Sequence, residues 1–254
     1  MTTALILRTC SADLTSHNGF IWPTIGPVKC DDWDSKLKCG NGLHGLLWGV
    51  GNGSLLNWSP DAKWLIVRVA TSDIVTINDK VKFPHGEVVH CGARKSATDF
   101  LIANGAPNPN DIVGAFITVG DKMSATAGYY GTATAGDSGT ATAGEKGTAT
   151  AGEKGTATAG DYGTATAGYG GTATAGDYGT ATAGNGGTAT AGYEGTATVG
   201  YYGTATAGDS GTIMIKWWDT KKNRCYTAIG YVGEDGIEPN VAYRVKNGQL
   251  ARVA

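Results

Sequence analysis

Between Ser124 and Thr212 small apolar and polar side chains alternate in bursts of four, and glycine closes each burst. The unit is Gly-Thr-Ala-Thr-Ala-Gly followed by two variable residues. Ten copies open at Gly131, Gly139, Gly147, Gly155, Gly163, Gly171, Gly179, Gly187, Gly195 and Gly203, with only Val199 departing from the six-residue core. Thr-Ala-Thr-Ala has period two, which predicts a short β-strand. The glycines and the variable pair (Asp-Tyr, Glu-Lys, Asp-Ser, Tyr-Gly, Asn-Gly) are turn chemistry, with glycine expected to take positive φ. A fixed period over this length predicts a stacked solenoid, in which each unit buries its apolar face only against its neighbours. A closed coil needs two facing strands, so two octads, or 16 residues, should make one coil. About five and a half coils follow, on the order of 25 Å of rod.

Alternation alone leaves open which face turns inward. Alanine inward is preferred, because an inward threonine would need a partner for its hydroxyl in every coil. The alanines offer little area, so backbone ladders, threonine rows and end lids must carry much of the stability. Ile112–Val119 is expected to cover one open end, and Ile213–Ile215 with Trp217 and Trp218 the other.

Outside the repeat the pattern is ordinary. Residues 1–120 read as a β-rich, mixed α+β head, residues 121–215 as the solenoid, and residues 216–254 as an aromatic β cap. In the head, Ala4–Arg8, Lys63–Val69, Ile74–Ile77 and Glu87–His90 read as strands. Lys95–Asn104 reads as a helix, stopped by Asn104-Gly105 with Pro107 beyond. Gly19–Gly53, rich in Gly, Pro and Asp, is expected to be mostly loop. The fold class is therefore mainly β: an octapeptide-repeat solenoid between a mixed head and a β cap.

Net charge is −2 with a pI near 6.1, so no basic field favours nucleic acid. No apolar run approaches the roughly 18 residues of a membrane helix. The start lacks a basic leader and is expected to be a first strand of a cytoplasmic protein. Five cysteines at irregular spacing argue against a disulfide framework and for reduced thiols. A metal site drawn from Cys30, Cys39, His44, His90 and Cys91 is the weaker alternative, and no metal is expected.

The octad resembles half of the 16-residue repeat of bacterial ice-nucleation proteins and the Thr-x-Thr faces of insect antifreeze solenoids. That resemblance implies ice binding through outward threonine rows. Here the rows are Thr132, Thr148, Thr164, Thr180 and Thr196 on one side, and Thr140, Thr156, Thr172, Thr188 and Thr204 on the other. Ice nucleators carry more coils and are exported to the cell surface. The whole layout, with Cys39-Gly-Asn-Gly-Leu-His-Gly45 ahead of the repeats and Tyr231-Val-Gly-Glu-Asp-Gly236 behind them, also resembles uncharacterised proteins of phages and prophage-bearing bacteria. That resemblance implies a phage-associated accessory protein in the cytoplasm of such a bacterium.

The order of Arg8, Gly42-Leu-His-Gly45 and Glu87 resembles ADP-ribosyltransferase-type folds. It implies Arg8 on a nicotinamide dinucleotide, His44 at the pocket wall and Glu87 in catalysis, although His85 stands where a second acidic residue or glutamine would be expected. Tyr130, Tyr162 and Tyr178 recur at multiples of 16 residues and should line one edge of the rod, where they could pair two copies as a homodimer. Three readings stand. The first is a non-enzymatic binding scaffold without cofactor, presenting its threonine faces and the head aromatics Trp22, Trp33 and Trp48 to an unidentified protein partner such as a host factor. The second is a transferase using NAD, and the third an ice-binding protein.

Overall fold

Apolar residues at alternate positions in the head leave strands that can bury one face or both. In the computed structural model, which describes residues 2–253, they form β1 (Thr3–Cys10), β2 (Gly26–Lys29), β3 (Leu43–Leu47), β4 (Lys63–Ala70), β5 (Val75–Ile77), β6 (Lys80–Phe83) and β7 (His85–Gly92). These make one antiparallel sheet in the order β2-β7-β4-β1-β3-β6-β5. The runs β1 and β4 lie inside it and pair along all eight residues, and Ile6, Leu7, Leu65, Ile66 and Val67 are sealed from solvent on both faces. Helix α1 (Arg94–Ala103) ends where expected. The Asn104 side chain donates to the Phe100 carbonyl at 2.8 Å, and Gly105 turns through a positive φ of 83°.

Gly19–Gly53 is loop-rich, as expected, with two short strands set within it. The segment supplies β2 and β3, whose short runs are hidden among turn residues. It also buries Trp22, which is 1% exposed and donates its indole N–H to Ser16 Oγ. Trp22 is therefore a core residue rather than a contact for a partner.

The head unit ends at Ala115 and a second unit begins at Phe116. The second unit opens with β8 (Phe116–Thr118) and β9 (Ser124–Ala127), and the ten octads then give β10 (Thr132–Ala135) to β19 (Thr204–Ala207), one four-residue strand each. Strands two octads apart pair in parallel with no slip: Thr132 lies against Thr148 and Ala133 against Ala149, and so on up the stack. The result is a β-solenoid of about six turns with 16-residue coils and two sheets of eight strands. Alanine faces inward. Ala133, Ala141, Ala149, Ala157 and Ala165 are all 0% exposed, and with their equivalents they form one continuous core.

The turn is built differently from its sequence expectation. It is the second variable residue that takes the left-handed conformation: Tyr130, Ser138, Lys146, Lys154, Tyr162 and Tyr178 all have φ near +55°. The flanking glycines are needed for closeness instead. A Cβ on Gly168 would lie 2.8 Å from the Gly152 carbonyl carbon and 2.9 Å from the Glu153 nitrogen, one coil below.

The ends are closed by the same sheets continuing in larger residues. β8 pairs with β10, placing Ile117 against the alanine core. β20 (Thr212–Asp219) pairs with β18 so that Ile213 and Ile215 extend the inner columns, then forms a hairpin with β21 (Arg224–Tyr231). β22 (Tyr243–Lys246) and β23 (Gln249–Arg252) finish the other sheet, with Tyr243 buried over the last coil beside Val232 and Ile237. The lid expected from Trp217 and Trp218 is thus supplied by other residues: Trp217 stacks on Tyr226, and Trp218 is 47% exposed. Among the described residues no helix is long and apolar enough to cross a membrane.

Candidate functional site

Each sheet of the solenoid presents a flat outer face of threonines. Once alanine turns inward, period two sends both threonines of every octad outward. On one sheet the register stacks Thr132, Thr148, Thr164, Thr180 and Thr196 in a column; on the other it stacks Thr140, Thr156, Thr172, Thr188 and Thr204. A second column runs beside each, Thr134 to Thr198 and Thr142 to Thr206, and is half-buried. The threonine rows expected from the repeat held only the first threonine of each octad, although the second recurs with the same period. Threonine suits such a lattice because its branched Cβ restricts χ1, so methyl and hydroxyl recur at fixed positions. The expected spacing is about 4.8 Å between coils and about 6.7 Å along a strand.

The turn edges are tied from coil to coil. Asp137 Oδ1 accepts the Glu153 N–H at 2.8 Å, Asp177 Oδ1 that of Tyr193 at 2.8 Å, and Asn185 Oδ1 that of Tyr201 at 2.9 Å. A backbone ladder continues beside them, for example Tyr162 N–H to the Asp177 carbonyl at 2.7 Å. Tyr130, Tyr162 and Tyr178 share one edge, as their spacing requires. Tyr162 and Tyr178 stack in parallel at 4.8 Å, and the Lys146 ammonium lies 5.7 Å from both the Tyr130 and the Tyr162 ring. Lys146 also donates to Tyr129 Oη and pairs with Glu145, which holds its ammonium above the usual lysine pKa. The rings on this edge therefore already contact one another and a cation within one chain.

In the head, Arg8 reaches the His44 backbone and Glu87 does not join them. Arg8 leaves β1 on the side of Ile6 and Cys10, stands over the Trp22 ring at 4.7 Å, and donates from Nη1 to the His44 carbonyl at 2.7 Å. Both line a cavity of about 640 Å³ with Lys80, Cys39, Asp31 and Asp32. Arg8 Nε and His44 Nε2 are buried without a hydrogen-bond partner. Burial lowers the Arg8 pKa to about 10; burial first, then Lys80 and Arg8, lowers that of His44 to about 4. Glu87 pairs across the sheet with Arg68 at 3.2 Å and is exposed. Arg68 neighbours Val67 on β4, and Val67 shares the apolar core of Ile6 and Cys10; strand alternation therefore sends Arg68 and Glu87 to the opposite face from Arg8. That parity separates the three residues grouped from the sequence. The cysteine–histidine set is split too: Cys30, Cys39 and His44 line the cavity, whereas His90 stacks on Phe100 at 5.3 Å. Lys80, joined to Cys39 by an Nζ–Sγ hydrogen bond of 2.9 Å, was missed, because the pairing of β6 with β3 brings it to this cavity.

An in-register solenoid with threonine on both outer faces defines a β-solenoid repeat scaffold. Comparison with known proteins places the repeat more narrowly. Over 102 residues the chain is 43% identical to an ice nucleation protein of Pseudomonas fluorescens, a stretch that is 39% of this chain and 8% of that protein. Identity is 45% over 105 residues to an ice nucleation protein of Pseudomonas syringae, covering 41% and 9%. It is 40% over 100 residues to ice nucleation protein InaU of Pantoea ananas, covering 39% and 10%. These matches lie in the repeat region, and the chain spans a tenth or less of each of these relatives' lengths. Residues 4–103 match a family model described as a domain of unknown function, DUF7666. No solved structure matches the chain.

Proposed function

We propose that the solenoid binds ice through its two threonine faces. The observation that carries this reading is the unslipped stacking of Thr-x-Thr over successive coils on both sheets. Similarity of the repeat to proteins named for ice nucleation supports it. Rows about 4.8 Å and 6.7 Å apart resemble the repeat of an ice face. Methyl groups hold water off the sheet while hydroxyls anchor it at regular intervals, so bound water is ordered before it joins a crystal. Five octad strands per sheet give a small threonine patch. A patch of that size adsorbs to existing crystals; templating a new crystal at mild supercooling requires a far larger face.

Ice-shaping microscopy on the full chain tests the reading. Wild type is expected to facet a growing crystal. The double substitution Thr164→Tyr with Thr180→Tyr on one sheet, or Thr156→Tyr with Thr172→Tyr on the other, should weaken faceting, and all four together should abolish it with an unchanged circular-dichroism spectrum. A wild-type chain that leaves crystals round would sink the proposal. Recovery of a specific protein on the same threonine faces would then favour the scaffold-and-partner reading.

A further inference from the structure

Arg8 carries a charge that the head does not answer. Among the described residues it forms no ion pair; Nη1 reaches only the His44 carbonyl, and Nε reaches nothing. Two carboxylates line the same cavity, but Asp32 Oδ1 is engaged by the Gly42 N–H at 3.1 Å. A guanidinium held largely out of water without an anion is costly, and it persists where the surrounding packing enforces it or a ligand completes it. Packing enforces it here, through the Trp22 face.

Two cations, Arg8 and Lys80, and two carboxylates, Asp31 and Asp32, line the cavity. Lys80 lines the cavity, and Lys82, the cross-strand partner of His44, is fully buried with its ammonium on the Lys38 carbonyl at 3.2 Å. His44 adds no charge to the cavity: the low pKa of its imidazole leaves it neutral near pH 7, and its unpartnered Nε2 is sealed from solvent. The volume lies within the range of sites for small molecules.

We propose that the head cavity binds a small oxyanion, a phosphate monoester or a carboxylate. Arg8 takes the anion, with Lys80 as the second cation of the cavity wall. A guanidinium fork matches the planar spacing of carboxylate or phosphate oxygens. The site lies wholly in the head and is independent of ice binding by the solenoid.

Cys39 provides the readout. Its exposed thiol sits at the cavity beside Lys80, whose hydrogen bond lowers its pKa and makes it the readier thiolate. Cys225, exposed in the second unit, serves as the internal reference. The full chain is treated with N-ethylmaleimide in the presence of ribose 5-phosphate, L-lactate or neutral ribose, and each cysteine is followed by peptide mass spectrometry. Ribose 5-phosphate or lactate should slow alkylation of Cys39 severalfold and leave Cys225 unchanged; whichever acts identifies the phosphate or the carboxylate source. Arg8→Met should raise the protecting concentration about tenfold or more. No protection of wild-type Cys39 by either anion, equal protection by ribose, or parallel slowing of Cys225 would each overturn the proposal, and none of these outcomes depends on the variant folding.

Discussion

At the scale of single residues, the octad assigns each position one physical task. The two glycines permit close approach, and the last variable position tolerates positive φ in residues as different as Tyr162, Lys154 and Ser138. Gly168→Ala should therefore cost about 1–3 kcal/mol, since its Cβ would press on backbone that cannot move away. Gly170→Asn, at a φ of 63° with the nearest contact a flexible lysine methylene 3.6 Å away, should be near neutral. Thermal melts of the two variants test the contrast. In the head, the depressed pKa of His44 has a signed consequence. Between its ordinary 6.5 and about 4 the unfolded chain binds a proton that the folded chain does not. Its contribution to stability is therefore present above pH 6.5, falls as pH drops to about 4 and is flat below that. The head's melting temperature should decline across this window, and His44→Gln should flatten that part of the profile.

At the scale of elements, the solenoid is ended by ordinary core residues grafted onto its sheets. Tyr243 shows how. Its ring covers the last coil, and its hydroxyl accepts the Glu238 N–H at 2.9 Å. Tyr243→Phe should cost about 1 kcal/mol through the lost hydrogen bond, and Tyr243→Ala about 3–5 kcal/mol through the void left over the alanine core. Denaturant titration separates the two, and the alanine variant should also self-associate as the strand edge is uncovered. β1 and β4 were legible as strands because both runs are rich in apolar, β-forming residues. β2 and β3 were not, because a strand as short as Leu43–Leu47, containing Gly45, carries too few side chains to outweigh the turn residues around it. The separation of Glu87 from Arg8 was illegible for a related reason: which face a residue takes depends on the parity of its strand within the sheet.

At the scale of the whole solenoid, coil length and cap placement must agree. β8 and β20 close one sheet, β9 and β22 the other, so both ends depend on an even number of octads between them. Deleting residues 155–170 removes one complete coil and should leave a cooperative, β-rich unfolding transition at slightly lower temperature. Deleting residues 155–162 removes half a coil, sends each cap to the wrong sheet and should abolish the cooperative transition. Calorimetry of the two deletions decides this. Because each coil contacts only its neighbours, the intact 16-residue deletion should lose stability in proportion to the contacts of one coil.

The repeat by itself determined the solenoid, the 16-residue coil and the threonine columns, because period-two alternation and a fixed octad leave few ways to bury alanine. Even its inward alanine was argued from the cost of burying hydroxyls. Tertiary structure alone decided the residues that close the ends, the left-handed turn position and the meeting of Arg8, His44, Lys80 and Cys39. Each of these depends on which distant strands become neighbours and on the faces they present, and both are set by packing across the sheet rather than by any local pattern.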